Sequence, residues 1–222
     1  MSFGSQILNF YQDLKIPSRT EKNIEVMVPF ENNEVRLINA QFYEKFYNDN
    51  YERFLLIGIN PGRFGAGLTG IPFVDPVNLE QILGIKNSFN KKHELSSEFI
   101  FKVIDGFRGP EIFFSRFYLT AVCPLGFIRN GKNINYYEIE SIRNHWQPFF
   151  IQCLKKQLKA GGRKDVAFIL GQGENYRFLK MLNEIHGIFA ELIALPHPRW
   201  VMQYRFPQRM KYVRQYIKAL SI

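Results

Sequence analysis

Cysteine is scarce: Cys123 and Cys153 are the only two in 222 residues. Two thiols cannot form a four-cysteine iron–sulfur cluster or structural zinc site, and they give no disulfide framework of the kind that staples small secreted domains. No apolar run approaches the roughly 20 residues that span a bilayer. The opening M-S-F-G-S-Q has no basic segment followed by an apolar one, so no signal peptide is expected. Internal repeats, low-complexity tracts and charge blocks are missing. So are a Walker phosphate loop, a G-x-S-x-G elbow and a paired-carboxylate motif. The histidines do not share metal-ligand spacing, and His93, His145 and His186 receive no role. These absences leave a cytoplasmic protein, nucleoid-associated in a bacterium, with no membrane partner.

Acidic residues are in the minority. There are 29 Lys and Arg against 20 Asp and Glu, a formal net charge of +9. Such a balance suits a polyanion (DNA, RNA or an anionic membrane surface), although the same excess can be spread over a solvated surface with no partner at all. Aromatics are plentiful, with 22 Phe and 11 Tyr, enough for an aromatic core with some rings left over for stacking. The length fits one domain over residues 1–222.

Patterning along the chain points to alternating strands and helices. Helical periodicity covers Ser5–Leu14, Ala40–Tyr47, Val77–Leu83, Ser96–Phe107, Tyr136–Leu158 (bent near Pro148), a stretch from Gly173 to about Ile185, and Pro207–Leu220. Residues 16–36 read as irregular or hairpin-like. Four runs read as buried strands: Arg53–Ile59, Phe117–Val122, Asp165–Leu170 and Glu191–Leu195. The expected architecture is α/β, a three-layer α/β/α sandwich around a four-stranded, mostly parallel sheet. In such sheets sites form where loops leave the carboxyl ends of the strands.

Three loops sit at such ends. The first, G-I-N-P-G-R-F-G-A-G-L-T-G-I-P-F at 58–73, lets backbone approach a ligand. Asn60 can orient a water but is no base, because its amide takes no proton at neutral pH. Phe73 can lie against a planar ring. A glycine-rich turn with a capping asparagine and a core phenylalanine accounts for the same residues. Asp75 is the acid nearest this loop and a candidate secondary water-activating group. The second loop, 120–133, carries Arg129 and Lys132, which are placed to touch phosphates or simply to be solvated. Cys123 reads as buried and inert. In the third loop, 195–209, His197 is stiffened between two prolines. Arg199, Arg205 and Arg209 alternate there with Trp200, Tyr204 and Phe206, a pattern that suits phosphates and stacked bases or a basic lead-in to the last helix.

Together these loops resemble the single-strand-selective monofunctional uracil-DNA glycosylases. F-L-L-I-G-I-N-P-G-R-F-G-A-G-L-T-G-I-P-F is similar to that family's G-M-N-P-G-P-F-G followed by T-G-V-P-F. V-C-P-L-G-F-I-R-N-G-K-N is similar to C-P-L-x-F with a G-R-N tip, and H-P-R at 197–199 stands in the place of H-P-S-P-R. The resemblance implies a monofunctional glycosylase acting as a monomer on single- or double-stranded DNA that contains damaged bases, without metal or organic cofactor and without a lyase step. It implies that Asn60 positions the attacking water and that His197 hydrogen-bonds the base oxygen that gains charge. Phe73 would stack on the flipped base, and Gly62 would leave room beside position 5 of a pyrimidine. Ile59, Thr120 and Ala121 would complete the base pocket. Lys132, Arg199, Trp200, Arg205 and Arg209 would meet DNA.

Two departures from the family pattern matter. Ala121 stands where the family has an asparagine that reads the Watson–Crick edge of uracil, and Thr120 beside it cannot reproduce an amide's paired donor and acceptor. Losing such a reader removes about 1–3 kcal/mol of discrimination. The expected substrate range therefore widens to 5-modified uracils and deaminated purines such as xanthine or hypoxanthine. The loop after His197 reads R-W-V-M-Q-Y-R rather than S-P-R-N, which marks a divergent second branch. The alternatives are a damaged-DNA-binding protein with a decayed site and an enzyme of free nucleosides. The basic, aromatic third loop speaks against the latter.

Overall fold

A computed structural model describes residues 1–17 and 21–222. Residues 18–20, within the stretch expected to be irregular or hairpin-like, lie outside the described residues. The chain opens with α1 (Phe3–Gln12), capped by the Ser2 hydroxyl oxygen, which accepts from the Ser5 N–H at 3.2 Å. Next come β1 (Glu25–Met27), a 3-10 turn at Pro29–Glu31 and α2 (Asn33–Tyr47). Helix α2 starts well before the expected Ala40, because Asn32 Oδ1 accepts from the N–H groups of Glu34 and Val35 at 2.8 and 3.3 Å.

There follow β2 (Arg53–Gly58), α3 (Ala66–Thr69), α4 (Pro76–Gln81), α5 (Leu95–Gly106), α6 (Pro110–Arg116), β3 (Phe117–Ala121), β4 (Gly126–Arg129) and β5 (Lys132–Ile134). The expected long helix from Tyr136 is broken. A 3-10 turn at Tyr136–Glu138 precedes α7 (Glu140–His145), and α8 (Gln147–Lys159) restarts after Trp146. Pro148 explains the break: its ring would strike the carbonyl of residue 144 in a continuous helix, yet it fits the first turn of a new one. The chain ends with β6 (Gly162–Leu170), α9 (Glu174–His186), β7 (Glu191–Leu195), α10 (Pro198–Tyr204), a 3-10 turn at Phe206–Gln208 and α11 (Arg209–Leu220).

The central sheet has the order β3-β2-β6-β7 and is parallel throughout. Every residue of β2 and β3 is buried, as helices on both faces require. Gly58 pairs with Ala121 and Leu170 with Leu195, so the four carboxyl ends deliver their loops to one edge.

A second sheet, absent from the sequence expectation, runs antiparallel in the order β1-β4-β5. Its strands are too short for periodicity to show. The hairpin between β4 and β5 turns on Asn130 and Gly131, at φ 50° and 69°. An Asn-Gly pair is the residue signature of that turn, and it was the one available clue.

Beside the sheet lies an aromatic layer. The Tyr118 hydroxyl meets those of Tyr11 at 3.2 Å and Tyr43 at 3.4 Å, and Tyr47 donates to the Phe117 carbonyl at 3.0 Å. Arg53 is fully buried there. Its guanidinium donates to the carbonyls of Phe114 and Tyr51 and to the Asp49 carboxylate, at 3.0, 2.7 and 2.7 Å, with Phe3 and Tyr47 against its faces.

Candidate active site

A cavity opens at the carboxyl edge of the sheet. Its wall includes Ile59, Asn60, Gly62, Phe73, Ala121, His197 and Arg199, drawn from all three loops.

Asn60 leaves the tip of β2 with its amide clamped. Oδ1 accepts from the Tyr136 N–H at 3.0 Å, and Nδ2 donates to the Ile134 carbonyl at 3.3 Å. A backbone N–H can only donate and a carbonyl can only accept, so the amide orientation is fixed by its partners.

His197 follows β7 and caps α10. Its Nδ1 accepts from the Arg199 N–H at 3.2 Å, which puts the proton of the neutral ring on Nε2. Burial, helped by the Arg199 charge, lowers its pKa to about 4. At neutral pH the ring is an uncharged N–H donor. The Pro196 carbonyl beside it accepts from the buried Tyr216 hydroxyl, which ties the loop to α11.

Phe73 sits at φ 61°, a left-handed conformation that costs a bulky residue on the order of 1–2 kcal/mol. Thr69 holds it there. The Thr69 hydroxyl donates to the Val74 carbonyl at 2.7 Å and accepts from the Ile71 N–H at 3.2 Å, so the turn around Phe73 is braced on both sides. The ring lies across the end of β2, where a Cβ on Gly58 would come within 2.6 Å of it. Its centroid is 6.5 Å from that of His197.

The structure separates two expected residues from the cavity. Thr120 faces the other side of the sheet, donating to Gln157 Oε1 at 2.6 Å, because alternate residues of a strand point to opposite faces and Ala121 takes the cavity side. Asp75 is fully buried as the cap of α4. It accepts from the N–H groups of Asn78 and Glu94 at 2.8 and 2.9 Å and from Asn78 Nδ2 at 3.3 Å, with His93 Nδ1 3.6 Å away, and it does not line the cavity.

Other wall residues escaped the sequence reading: Tyr11, Phe30, Glu94, Asn133 and Asn135. Tyr11 and Phe30 stack with centroids 4.0 Å apart. Glu94 lies in K-K-H-E, a charged stretch that reads as solvated, yet burial pushes its carboxyl up to about 7 against the pull of Ser96 and Arg199. Cys123 and Cys153 are free and buried, and burial raises both thiols, Cys153 to about 12.

Trp200 and Tyr204, which line an adjoining cavity, and Phe206 are exposed. Arg205 lies 5.1 Å over the Trp200 ring and Arg209 4.1 Å over Phe206. Most of the expected arginine–aromatic loop is therefore helical, α10 plus a 3-10 turn, with its apolar positions Val201 and Met202 in the core. Lys132 is exposed beside the β4–β5 turn, whereas Arg129 is paired with Glu21 at 2.7 Å and is less available to phosphate.

Fold and cavity together define a pocket at the carboxyl edge of a parallel sheet, lined by polar side chains and aromatic rings. The model of the uracil DNA glycosylase superfamily matches residues 44–221, and the chain belongs to that superfamily of DNA glycosylases. Among solved structures, the crystal structure of wild-type SMUG2 from Pedobacter heparinus is 40% identical, with a TM-score of 0.94, over 99% of this chain and 97% of that one. No curated protein matches the chain.

Proposed function

We propose that this protein is a monofunctional glycosylase that hydrolyses the N-glycosidic bond of uracil and of related deaminated or 5-modified bases in DNA, as a monomer. The observation that carries this reading is the meeting of Asn60, Phe73 and a neutral His197 on one cavity wall.

The target base must leave its stack, at a cost of a few kcal/mol that is least for a mispaired or unpaired base. Stacked on Phe73, the extruded base presents a carbonyl oxygen to His197 Nε2–H. As the bond between C1′ and the base nitrogen breaks, its electron pair moves onto the base, and the His197 dipole stabilises the growing charge. A water on Asn60 Oδ1 attacks C1′ and releases its proton to solvent. The sugar cation is a strong electrophile, so an amide suffices to hold the nucleophile. No lysine lines the cavity among the described residues, which supports hydrolysis without a Schiff base and hence without strand cleavage.

Ala121 supports a broad substrate range, since no amide stands there to insist on uracil. The exposed Trp200, Tyr204 and Phe206, with Arg199, Arg205, Arg209 and Lys132, supply rings and cations for a strand crossing the mouth.

Base release from a uracil-containing oligonucleotide, followed by alkaline cleavage, tests the reading. His197→Ala and Asn60→Ala should each lower single-turnover rates by at least about tenfold with DNA binding retained. Binding of damaged DNA without any base release would select the decayed-site alternative.

A further inference from the structure

We propose that Glu94 serves as a general acid for deaminated purines alone, protonating N7 as the purine leaves. The proposal rests on the glycosylase reading above.

Glu94 lines the cavity that holds Asn60, Phe73 and His197, yet the hydrolytic scheme gives it nothing to do. Its position is built. The Glu94 N–H is tied to Asp75 Oδ2 at 2.9 Å just ahead of α5. Its carboxyl occupies space that two glycines keep clear: a Cβ on Gly62 would lie 3.0 Å from Oε1, and one on Gly65 1.8 Å from Oε2. A side chain at residue 65 would displace the carboxyl.

A base lying on Phe73 with a carbonyl at His197 has two edges flanking its glycosidic bond. One faces His197. The other carries C5 and C6 of a pyrimidine, or N7 and C8 of a purine, and would face the Glu94 carboxyl, which lies against Gly62 and Gly65. A pyrimidine offers no lone pair there, but a purine offers N7.

The chemistry balances. The carboxyl proton moves to N7, the C1′–N9 bond breaks with its electron pair going to the purine, and the base leaves neutral rather than anionic. Water captures C1′, and the proton it sheds restores the acid. The charged and titratable groups around Glu94 are Arg199 from α10, Asp75 from the cap of α4, and the neutral His197. Ser96 hydrogen-bonds the carboxyl, and Asn133 stands beside Gly62. With the carboxyl at about 7, its protonated form is well populated at neutral pH.

The test measures single-turnover release of uracil, xanthine and hypoxanthine, and of the 7-deaza analogues of both purines, in which carbon replaces N7. Glu94→Gln keeps size and hydrogen bonding, and its thermal midpoint checks the fold. It should slow purine release at least about tenfold, uracil release less than about threefold, and 7-deazapurine release no further than in wild type. Wild-type purine release should fall roughly tenfold between about pH 6 and pH 8, and Glu94→Gln should remove that limb. An equal loss on uracil and purines, an unchanged purine rate, or the same loss on 7-deaza analogues overturns the proposal. Wild-type release of uracil but neither purine overturns it and leaves the glycosylase reading standing. Release of no base at all overturns that reading as well.

Discussion

Gly58→Ala tests how the base platform is built. Gly58 ends β2 with ordinary extended backbone, so alanine brings no conformational penalty of its own, only a methyl group. That methyl would lie 2.6 Å from Cζ and 2.8 Å from Cε2 of Phe73. Carbon atoms in contact sit about 3.5–4.0 Å apart, so the ring must retreat by about 1 Å. The methyl occupies the strand side, so the ring retreats toward the space that a base would fill. Overpacking of this kind costs about 1–3 kcal/mol of stability. Base–aromatic stacking is worth about 1–3 kcal/mol, so kcat/KM for uracil release should fall roughly 5- to 150-fold. The decisive measurement is a double-mutant cycle with Phe73→Ala. If the methyl acts through the ring, Gly58→Ala should cost little activity once the ring is gone. Additive losses, or a Gly58→Ala enzyme with full activity, would refute the assignment of Phe73 as the platform.

Acid should weaken the fold through His197. Its folded pKa of about 4 is below the unfolded value near 6.5, so stability is present above about pH 6.5 and is lost as pH falls toward 4, up to about 3 kcal/mol; urea midpoints of wild type and His197→Gln against pH should diverge over that window alone. Arg53→Met should lower stability by about 2–4 kcal/mol, because it strands the buried Phe114 carbonyl and the partly buried Tyr51 carbonyl, while activity per folded molecule persists; equilibrium unfolding alongside active-site titration separates the two. Arg205→Ala and Arg209→Ala should each weaken DNA binding on every sequence and reduce the salt slope of log K by about one if both cations meet phosphate; an unchanged slope would assign them to packing on Trp200 and Phe206.

Much of the sheet was legible because buried parallel strands are continuous apolar runs, and Glu191–Leu195 matches its expected bounds. The alternation of strand and helix then fixed where loops would gather. What escaped was set by contacts distant in sequence. Helix α2 begins at a side-chain cap rather than at a hydrophobic residue, and α10 looked like a loop because its seven residues begin with proline and end among arginines. At the site, Asn60, Phe73 and His197 stood in recognisable runs. Glu94 carried no local mark, since only the folded chain shows that Gly62 and Gly65 admit its carboxyl. Thr120 failed for a simpler reason: adjacent strand residues face opposite sides, and Ala121 already faces the cavity.

The electrostatics of the pocket bear on how its chemistry works. Asn60 is neutral at any pH, and His197 is neutral down to about pH 4. Neither can take or give a full proton near neutrality. They act as fixed dipoles, and dipoles help only when held still. The amide is clamped by Tyr136 and Ile134, the imidazole by the Arg199 N–H, and the ring beneath the base by a left-handed turn that Thr69 braces. Such a site suits a leaving group stable enough as an anion to need no proton. Uracil meets that demand. Glu94, the cavity carboxyl that burial lifts to about 7, adds to these dipoles a group able to give up a proton near neutrality.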